Sequence, residues 1–387
     1  MKRIPLLLVL LFLSIGLNSC SGDVVEQYTN INDDSAFDKN GSNGPQAPIR
    51  LNLAQVPLPK LSDYRFFIGE LKNQTPGYKV LPYKPASELF SDYAHKKRFI
   101  WMPNGVSATY DGDDNVFIFP VGTVMIKTFF YNNVQPLNAT RIIETRLLIK
   151  TAEATLTDSG WKLYDYIWNE AQTEAFLDTE GNGVFVPITF TENDVTRSIT
   201  YKIPAATECA TCHKINPNQT GEIVIPIGPK PQNLNTNYNY GLSTRNQLSK
   251  WKAFGYINNS LPPISSIYST INYTDTSQPL ELRARSYIDI NCAHCHRLGG
   301  HCDYVPQRFN FSNIDSATFG LCMVPSAQID NGPFVINGGN AEQSELFIRM
   351  NSTEESVMMP LIGRTVNHDE GIQLMRDWID SLPQICD

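Results

Sequence analysis

The sequence predicts a multidomain fold in which a mostly antiparallel β domain is followed by a loop-rich segment and then by an all-α domain. Between residues 51 and 203, runs of β-branched and aromatic residues alternate with turn-forming Pro, Gly, Asn and Asp. Residues 204–275 are rich in Pro and Asn, and only residues 245–254 place apolar residues at helical spacing. Residues 276–387 show helical patterns at both ends, including an apolar stripe along the last helix.

Individual strands of the β domain can be predicted from these runs. They are Phe99–Met102, Val116–Phe119, Val124–Tyr131, Ile142–Ile149 and Trp161–Trp168, with a last strand near Ser198–Ile203. Several of them alternate with period two, which is typical of strands with one buried face. Short strands at this spacing predict an antiparallel sandwich or barrel.

Two copies of the motif C-x-x-C-H carry the chemistry that the sequence reveals. Their cysteines and histidines are Cys209, Cys212 and His213 in the first copy, and Cys292, Cys295 and His296 in the second. On a helical turn the two thiols share a face and can form thioethers to one haem, while the adjacent His offers its imidazole to the iron. A redox-active cysteine pair or half of a zinc site would be the alternatives. Two matches in one chain favour two covalently bound c-type haems.

The first residues predict the cellular compartment. Lys2 and Arg3 precede an apolar run from Leu6 to Leu17, which is too short to span a bilayer and is typical of a signal peptide. The run ends in a sequence that resembles a bacterial lipobox, with Cys20 as the lipidated residue. We therefore expect a lipoprotein signal over residues 1–19, a flexible polar tether over 20–50, and a protein anchored to the cell envelope, facing the periplasm or the cell surface. An uncleaved anchor or an ordinary secretory signal is the alternative.

The chain contains eight cysteines. One is assigned to lipid and four to haem, and an oxidising compartment allows a disulfide among the remaining Cys302, Cys322 and Cys386. We expect Cys302 to pair with Cys322, closing a loop directly after the second motif. The net charge of −8 argues against nucleic acid as a partner.

The two predicted haem sites differ in the residue available as the sixth iron ligand. Met359 lies in the loop before the last helix, and a thioether ligand there would suit electron transfer. Met358 and Met350 are the alternatives, and Met is also a common core residue. For the first site there is no Met between His213 and Met323. Its sixth ligand must come from another segment or be absent, and the candidates are His95, Met102 and Met125.

Two family resemblances follow from these motifs. The segment 276–387, with its helix, C-x-x-C-H, Met-Pro loop and terminal helix, resembles class I cytochromes c. The mature chain as a whole resembles a family of bacterial dihaem c-type cytochrome lipoproteins. The residues that carry this second resemblance are Leu89–Ala94, Phe119–Thr123, Lys127–Phe129, Cys209–His213, Asn246–Leu248, Asn291–His296, Met358–Pro360 and Gly363-Arg364. It implies redox partner proteins, among them periplasmic quinoprotein dehydrogenases.

A fainter resemblance concerns the β domain and the first motif. The Pro-x-Gly-Thr motif at Pro120–Thr123, a strand at Gly160-Trp161 and a later C-x-x-C-H are similar in layout to cytochrome P460. Those proteins bind a five-coordinate haem on a β fold and oxidise small nitrogen compounds. That resemblance would make Lys127 the counterpart of a Lys cross-linked to the haem, and an ordinary strand Lys is the alternative.

Two classes of function therefore compete. The leading prediction is a dihaem electron carrier that takes electrons from a dehydrogenase and delivers them to a membrane or surface acceptor. The alternative is a haem enzyme in which a five-coordinate first haem oxidises a small molecule in a peroxidase-like or cytochrome P460-like reaction. A haem-based sensor is a third possibility. The chain has no Walker loop, no dinucleotide-binding Gly-rich turn and no Ser or Cys nucleophile motif.

Overall fold

The computed structural model describes residues 49–216, 221–241, 243–329 and 332–386. The expected signal segment, Cys20 and nearly all of the expected tether lie outside the described residues. Within the described part, Ile49 already packs against the β core, and the backbone N–H of Arg50 donates to the carbonyl of Tyr64. None of the described helices combines the length and the apolar character needed to cross a membrane.

An eight-stranded antiparallel sheet forms the centre of the molecule. Its strands are β3 (Leu81–Pro82), β4 (His95–Trp101), β5 (Val124–Val134), β6 (Ala139–Lys150), β7 (Trp161–Trp168), β8 (Ala175–Leu177), β9 (Val184–Glu192) and β10 (Val195–Ile203). The order is β10-β9-β5-β6-β7-β8, with β4 also paired to β5 and β3 to β4. The remaining strands form two-stranded pairs: β1 (Phe67–Ile68) with β2 (Thr75–Pro76), β11 (Lys214–Ile215) with β12 (Ile223–Val224), and β13 (Asn237–Asn239) with β14 (Thr244–Asn246).

Most of the predicted strands coincide with observed ones, and one does not. Strand predictions over 124–131, 142–149 and 161–168 fall within β5, β6 and β7. Residues 116–119 form no strand, and only Ile118 makes an isolated bridge, to Thr109. The sequence reading missed β9, because it contains Pro187 and its first residues, including Phe185, are exposed instead of alternating with buried ones.

The register of β5, β6 and β7 places rows of side chains on one face of the sheet. Met125 lies opposite Leu148, which in turn lies opposite Leu163, and these residues belong to or pack on an apolar core. The neighbouring row on the same face is charged, as described below. Since side chains two residues apart share a face, the apolar and the charged rows are adjacent.

The prediction of an all-α cytochrome c-like domain is wrong, because the fold as a whole is β-rich and its helices are few and mostly short. The seven α-helices of the described residues are α1 (Ala206–His213), α2 (Pro231–Leu234), α3 (Gln247–Ala253), α4 (Leu280–Ile288), α5 (Ser316–Phe319), α6 (Glu345–Met350) and α7 (Asp369–Ser381). Four of these lie after residue 276, and the longest has 13 residues. Most of the chain between them is loop and turn.

The physical reason lies in the middle of the last segment. Apolar residues at helical spacing occur only at its two ends, whereas residues 297–340 are interrupted by Gly, Pro and Asn, which favour turns. There the backbone makes isolated parallel bridges, from Leu321 to Ile336 and from Phe334 to Ser344. The end helices do pack on each other: a Cβ at Gly371 of α7 would clash with the hydroxyl of Tyr287 on α4.

A buried ionic cluster joins the last segment to the rest of the molecule. Lys230, just before α2, lies 3.0 Å from Asp114 and 3.1 Å from Asp289, measured from its Nζ to a carboxylate oxygen of each. Asp289 begins a π-helical turn, Asp289–Ala293, that continues α4 and leads directly into the second C-x-x-C-H motif. The cluster therefore fixes the start of that motif against the β domain.

Candidate functional site

The first C-x-x-C-H motif forms the C-terminal half of helix α1, which directly follows β10. The carboxylate of Glu208 accepts a hydrogen bond from the backbone N–H of Ala205, at 2.8 Å, and so stabilises the start of the helix. At its end, Nδ1 of His213 lies 2.8 Å from the carbonyl oxygen of Ile225. That contact places the proton on Nδ1 and leaves the lone pair of Nε2 free to bind a metal.

A large cavity lies between α1 and the sheet. It contains about 1300 Å³ of empty space when the part open to solvent is counted. One part of its lining is Cys209, Cys212 and His213. The other part is the sheet, and its apolar lining residues include Phe129, Leu148 and Leu163.

A second cavity of similar size, about 1310 Å³, is lined by the second motif. Cys292, Cys295 and His296 all contribute to its wall. The His296 ring is buried against Phe309, with ring centroids 5.0 Å apart, and its Nδ1 has no hydrogen-bond partner among the described residues. A buried imidazole nitrogen without a hydrogen bond can donate a proton to a ligand or, when unprotonated, bind a metal through its lone pair.

Met359, the ligand candidate for the second site, lines the second cavity. Its loop is held in place: the backbone N–H of Met359 donates to the carbonyl of Arg349 at 3.0 Å, and the Arg364 guanidinium donates to the Met359 carbonyl at 3.0 Å. Met350 also lines this cavity, whereas Met358 is buried and is not among the residues of its wall.

None of the three ligand candidates for the first site lines the first cavity. Nε2 of His95 lies 3.1 Å from the carboxylate of Glu192. Met102 and Met125 are buried in the apolar core with Trp161. The two methionines thus serve as core residues, and His95 is held by an acidic partner.

The two motifs meet in space, although 78 residues, 214–291, separate them in the sequence. The side-chain donor atoms of Cys212, His294 and Cys295 all lie within 4.8 Å of one another. Sγ of Cys295 is 3.7 Å from the carbonyl oxygen of Thr211. Both cavities use Cys212 and His294 as lining residues, so the two sites share a wall.

The cluster of Cys212, His294 and Cys295 is also a candidate metal site. It offers two thiols and one imidazole, whereas a structural zinc site has four protein ligands. No other group of three or more such donors is close enough to hold a metal within the part of the chain that the structure describes. The cluster therefore lacks a fourth ligand of the usual kind, while each of its cysteines belongs to a motif with a cavity of its own.

Burial keeps the two motif histidines neutral. It lowers the pKa of His213 to about 4 and has the same effect on His296, whose pKa is also about 4. Burial likewise raises the pKa of the Cys292 thiol to about 12. At neutral pH both imidazoles are therefore available as uncharged ligands.

The expected Cys302–Cys322 disulfide is wrong, since the structure pairs Cys322 with Cys386. After α7 the chain turns back, and its end packs against Gly338 and Gly339, which brings Cys386 beside Cys322. Cys302 is instead a buried free thiol that lines the second cavity. Closeness in the sequence to the second motif favoured the wrong partner.

Sequence reasoning also missed three cavity residues. Arg146 and Asp165 lie on strands, where a charged residue usually faces solvent, and His294 lies inside the second motif yet lines both cavities. A charged residue within an otherwise apolar strand was the one available indication. No family model matches this chain, and no curated protein or solved structure matches it either.

Proposed function

We propose that this protein is a dihaem c-type cytochrome that transfers electrons outside the cytoplasm. The observation that carries the proposal is that each C-x-x-C-H motif opens onto its own large cavity while the two motifs touch at Cys212 and Cys295. An isolated redox pair or half a zinc site would need neither cavity.

The residues of each cavity suit a covalently bound haem. Cys209 and Cys212 would hold the first haem and His213 would be its proximal ligand, with the Nδ1 contact to Ile225 fixing the tautomer that such a ligand needs. Cys292 and Cys295 would hold the second, with His296 and Met359 as its axial ligands. Bound haem supplies a one-electron iron couple.

The rest of this chain would position and insulate the two groups. The apolar sheet residues of the first cavity and the Met359 loop of the second would cover part of each group, and Arg364 fixes that loop through its hydrogen bond to the Met359 carbonyl. The attachment points Cys212 and Cys295 lie within 4.8 Å of each other, and such a short separation favours electron exchange between the two sites.

The cellular setting belongs to the same proposal. The signal-like start and Cys20 favour a lipid-anchored protein of the cell envelope, and covalent haem attachment takes place outside the cytoplasm. The electron donor would be a partner protein such as a periplasmic dehydrogenase, and the acceptor would lie in the membrane or at the surface. The net charge of −8 argues against nucleic acid as a partner.

A haem count tests the proposal. The protein is produced in a host that matures c-type cytochromes, and covalent haem is measured by the pyridine haemochrome method and by intact mass. We expect two haems per chain, and one when Cys209 and Cys212 are both changed to Ala. Cys302→Ala is the matched control and keeps both. A chain that matures without covalent haem overturns the proposal.

The assignment of Met359 is tested separately. Met359→Ala should convert one haem from low-spin to high-spin, because the variant lacks the thioether. Met358→Ala, which changes a buried neighbour outside the cavity wall, should leave the spin state unaltered. If optical and EPR spectra of Met359→Ala match those of the parent, the ligand assignment is wrong.

A haem enzyme remains the second candidate function. The observation that favours it is that the first cavity has no Met in its lining and no His besides His213 and His294. Carbon monoxide separates the two: rapid binding by the parent protein indicates an open iron site and an enzyme, whereas two closed sites indicate a carrier.

A further inference from the structure

The sheet wall of the first cavity carries a row of charged side chains. Arg98 on β4 is paired in register with Lys127 on β5, Lys127 with Arg146 on β6, and Arg146 with Asp165 on β7. Lys127, Arg146 and Asp165 all line the cavity. Charged residues at the centre of a sheet are costly to bury, so each calls for an explanation.

The two arginines of this row are already paired. Arg98 donates to the carboxylate of Glu88 at 2.8 Å, and Arg146 makes two hydrogen bonds to Glu144, at 2.7 and 2.6 Å. Lys127 differs from both. Its ammonium has no hydrogen bond and no ion pair with any residue that the structure describes, and its one specific contact is with the Phe129 ring, whose centroid is 4.7 Å away.

The surroundings of Lys127 favour a neutral amine. Burial lowers the pKa of Lys127 well below its usual value, and the nearby positive charges of Arg98, Arg146 and Lys96 lower it further. Glu144 acts in the opposite direction but is outweighed. A neutral amine carries a lone pair and can bind a metal, which an ammonium cannot.

Lys127 lines the same cavity as His213 of the first motif, and so do Arg146, Asp165 and Cys209. The strand that carries Lys127 and the helix that carries His213 therefore border one common space, in which a group attached at Cys209 and Cys212 would lie.

Other donors in the lining are less suitable. Nζ of Lys202 is paired with Glu208 at 2.5 Å. Burial raises the pKa of Tyr164, so it would not be a phenolate ligand. His294 has its donor atom within 4.8 Å of Cys212 Sγ, at an attachment point shared by both motifs.

We propose that the ε-amine of Lys127 would bind the iron of a haem in the first cavity, in addition to His213. This inference rests on the proposed function, because it requires a haem attached at Cys209 and Cys212. It makes the first site closed and six-coordinate, as an electron carrier requires, and it assigns a strand residue to a role that no His or Met of this cavity fills.

The test uses spectra of the haem-loaded, full-length protein. In the parent, EPR and near-infrared magnetic circular dichroism should show two low-spin haems, one with thioether and one with amine ligation. Lys127→Ala should convert one haem to high-spin and make it bind carbon monoxide rapidly. Lys127→Met keeps a long side chain but replaces the amine by a thioether, and it should return that haem to low-spin with thioether ligation.

Lys202→Ala is the matched control, since it changes a Lys of the same cavity that is ion-paired, and it should keep both haems low-spin. If Lys127→Ala and Lys127→Met both retain the parent spectrum, or if the first haem of the parent is already high-spin, the assignment of Lys127 is wrong. The haem count separates this result from a failure of the proposed function. If the protein carries two covalent haems but the Lys127 variants keep the parent spectrum, only the ligand assignment is contradicted.

Discussion

The disulfide between Cys322 and Cys386 should make a large contribution to the stability of the last segment. The two cysteines are 64 residues apart in the sequence. Closing a loop of that length removes about 14 cal/mol/K of entropy from the unfolded chain, or about 4 kcal/mol at 25 °C. Cys386→Ser is the better variant, because Cys322 has a positive φ of 56° and a change there would also alter the backbone energy.

Urea unfolding followed by circular dichroism measures the effect on the full-length protein. Cys386→Ser should lower the free energy of unfolding by up to about 4 kcal/mol, and reduction of the parent should produce a similar loss. Cys302→Ala is the control and should lack the loop effect, because that thiol is free. Peptide mapping without reduction should detect a disulfide-linked peptide pair that contains Cys322 and Cys386. A Cys302–Cys322 peptide, or a Cys302→Ala variant as unstable as Cys386→Ser, would refute the reasoning.

Two further predictions concern buried charges of the β domain and its neighbours. Lys230→Met leaves the carboxylate of Asp289, which is 2% exposed, without its cation. The free energy of unfolding in urea should therefore fall by about 3–5 kcal/mol. A loss no greater than that caused by Lys72→Met, which changes an exposed Lys, would contradict this prediction. Glu88 is expected to make stability depend on pH: burial raises its pKa, but Arg98 and Lys84 outweigh burial and lower it to about 2 from 4.5. The pKa of Glu88 is lower in the folded protein than in the unfolded chain. Its contribution to the free energy of unfolding, about 3 kcal/mol, is therefore present above the pKa of the unfolded state and is lost as the pH falls through the pKa of the folded state. Glu88→Gln should therefore flatten the acid limb of a plot of stability against pH, and an unchanged acid limb would show that Glu88 is not its source.

The parts of the fold that the sequence predicts well are those with local causes. The strands around Val124–Tyr131 and Ile142–Ile149 follow from β-branched and aromatic runs, and α7 follows from an apolar stripe at helical spacing. The prediction of an all-α last domain is wrong because helical patterns occur only at the two ends of that segment. Its middle contains Gly, Pro and Asn residues, which favour loops. Local pattern at the ends of a segment does not determine its centre.

The candidate site likewise has some features with local causes in the sequence and others that depend on tertiary packing. The C-x-x-C-H motifs are local, so their cysteines and histidines could be found without a structure, and the place of Met359 followed from its loop. The contact between Cys212 and Cys295, the pairing of Cys322 with Cys386, and the cavity position of Lys127 depend on tertiary packing. The register that aligns Lys127 with Arg146 links residues 19 positions apart, and no periodicity of a single strand encodes it.

The wall shared by the two cavities means that the protein cannot be divided into two working fragments. A cut near residue 275 follows the boundary expected from the sequence, but it would remove Asn291, His294, Pro360 and Ile362 from the lining of the first cavity. The N-terminal piece would then expose one side of its cavity to water, and the C-terminal piece would lose the Thr211 side of its own. Truncation, domain exchange and expression of single modules are therefore poor routes to studying one site alone, and point variants in the intact chain are the appropriate ones.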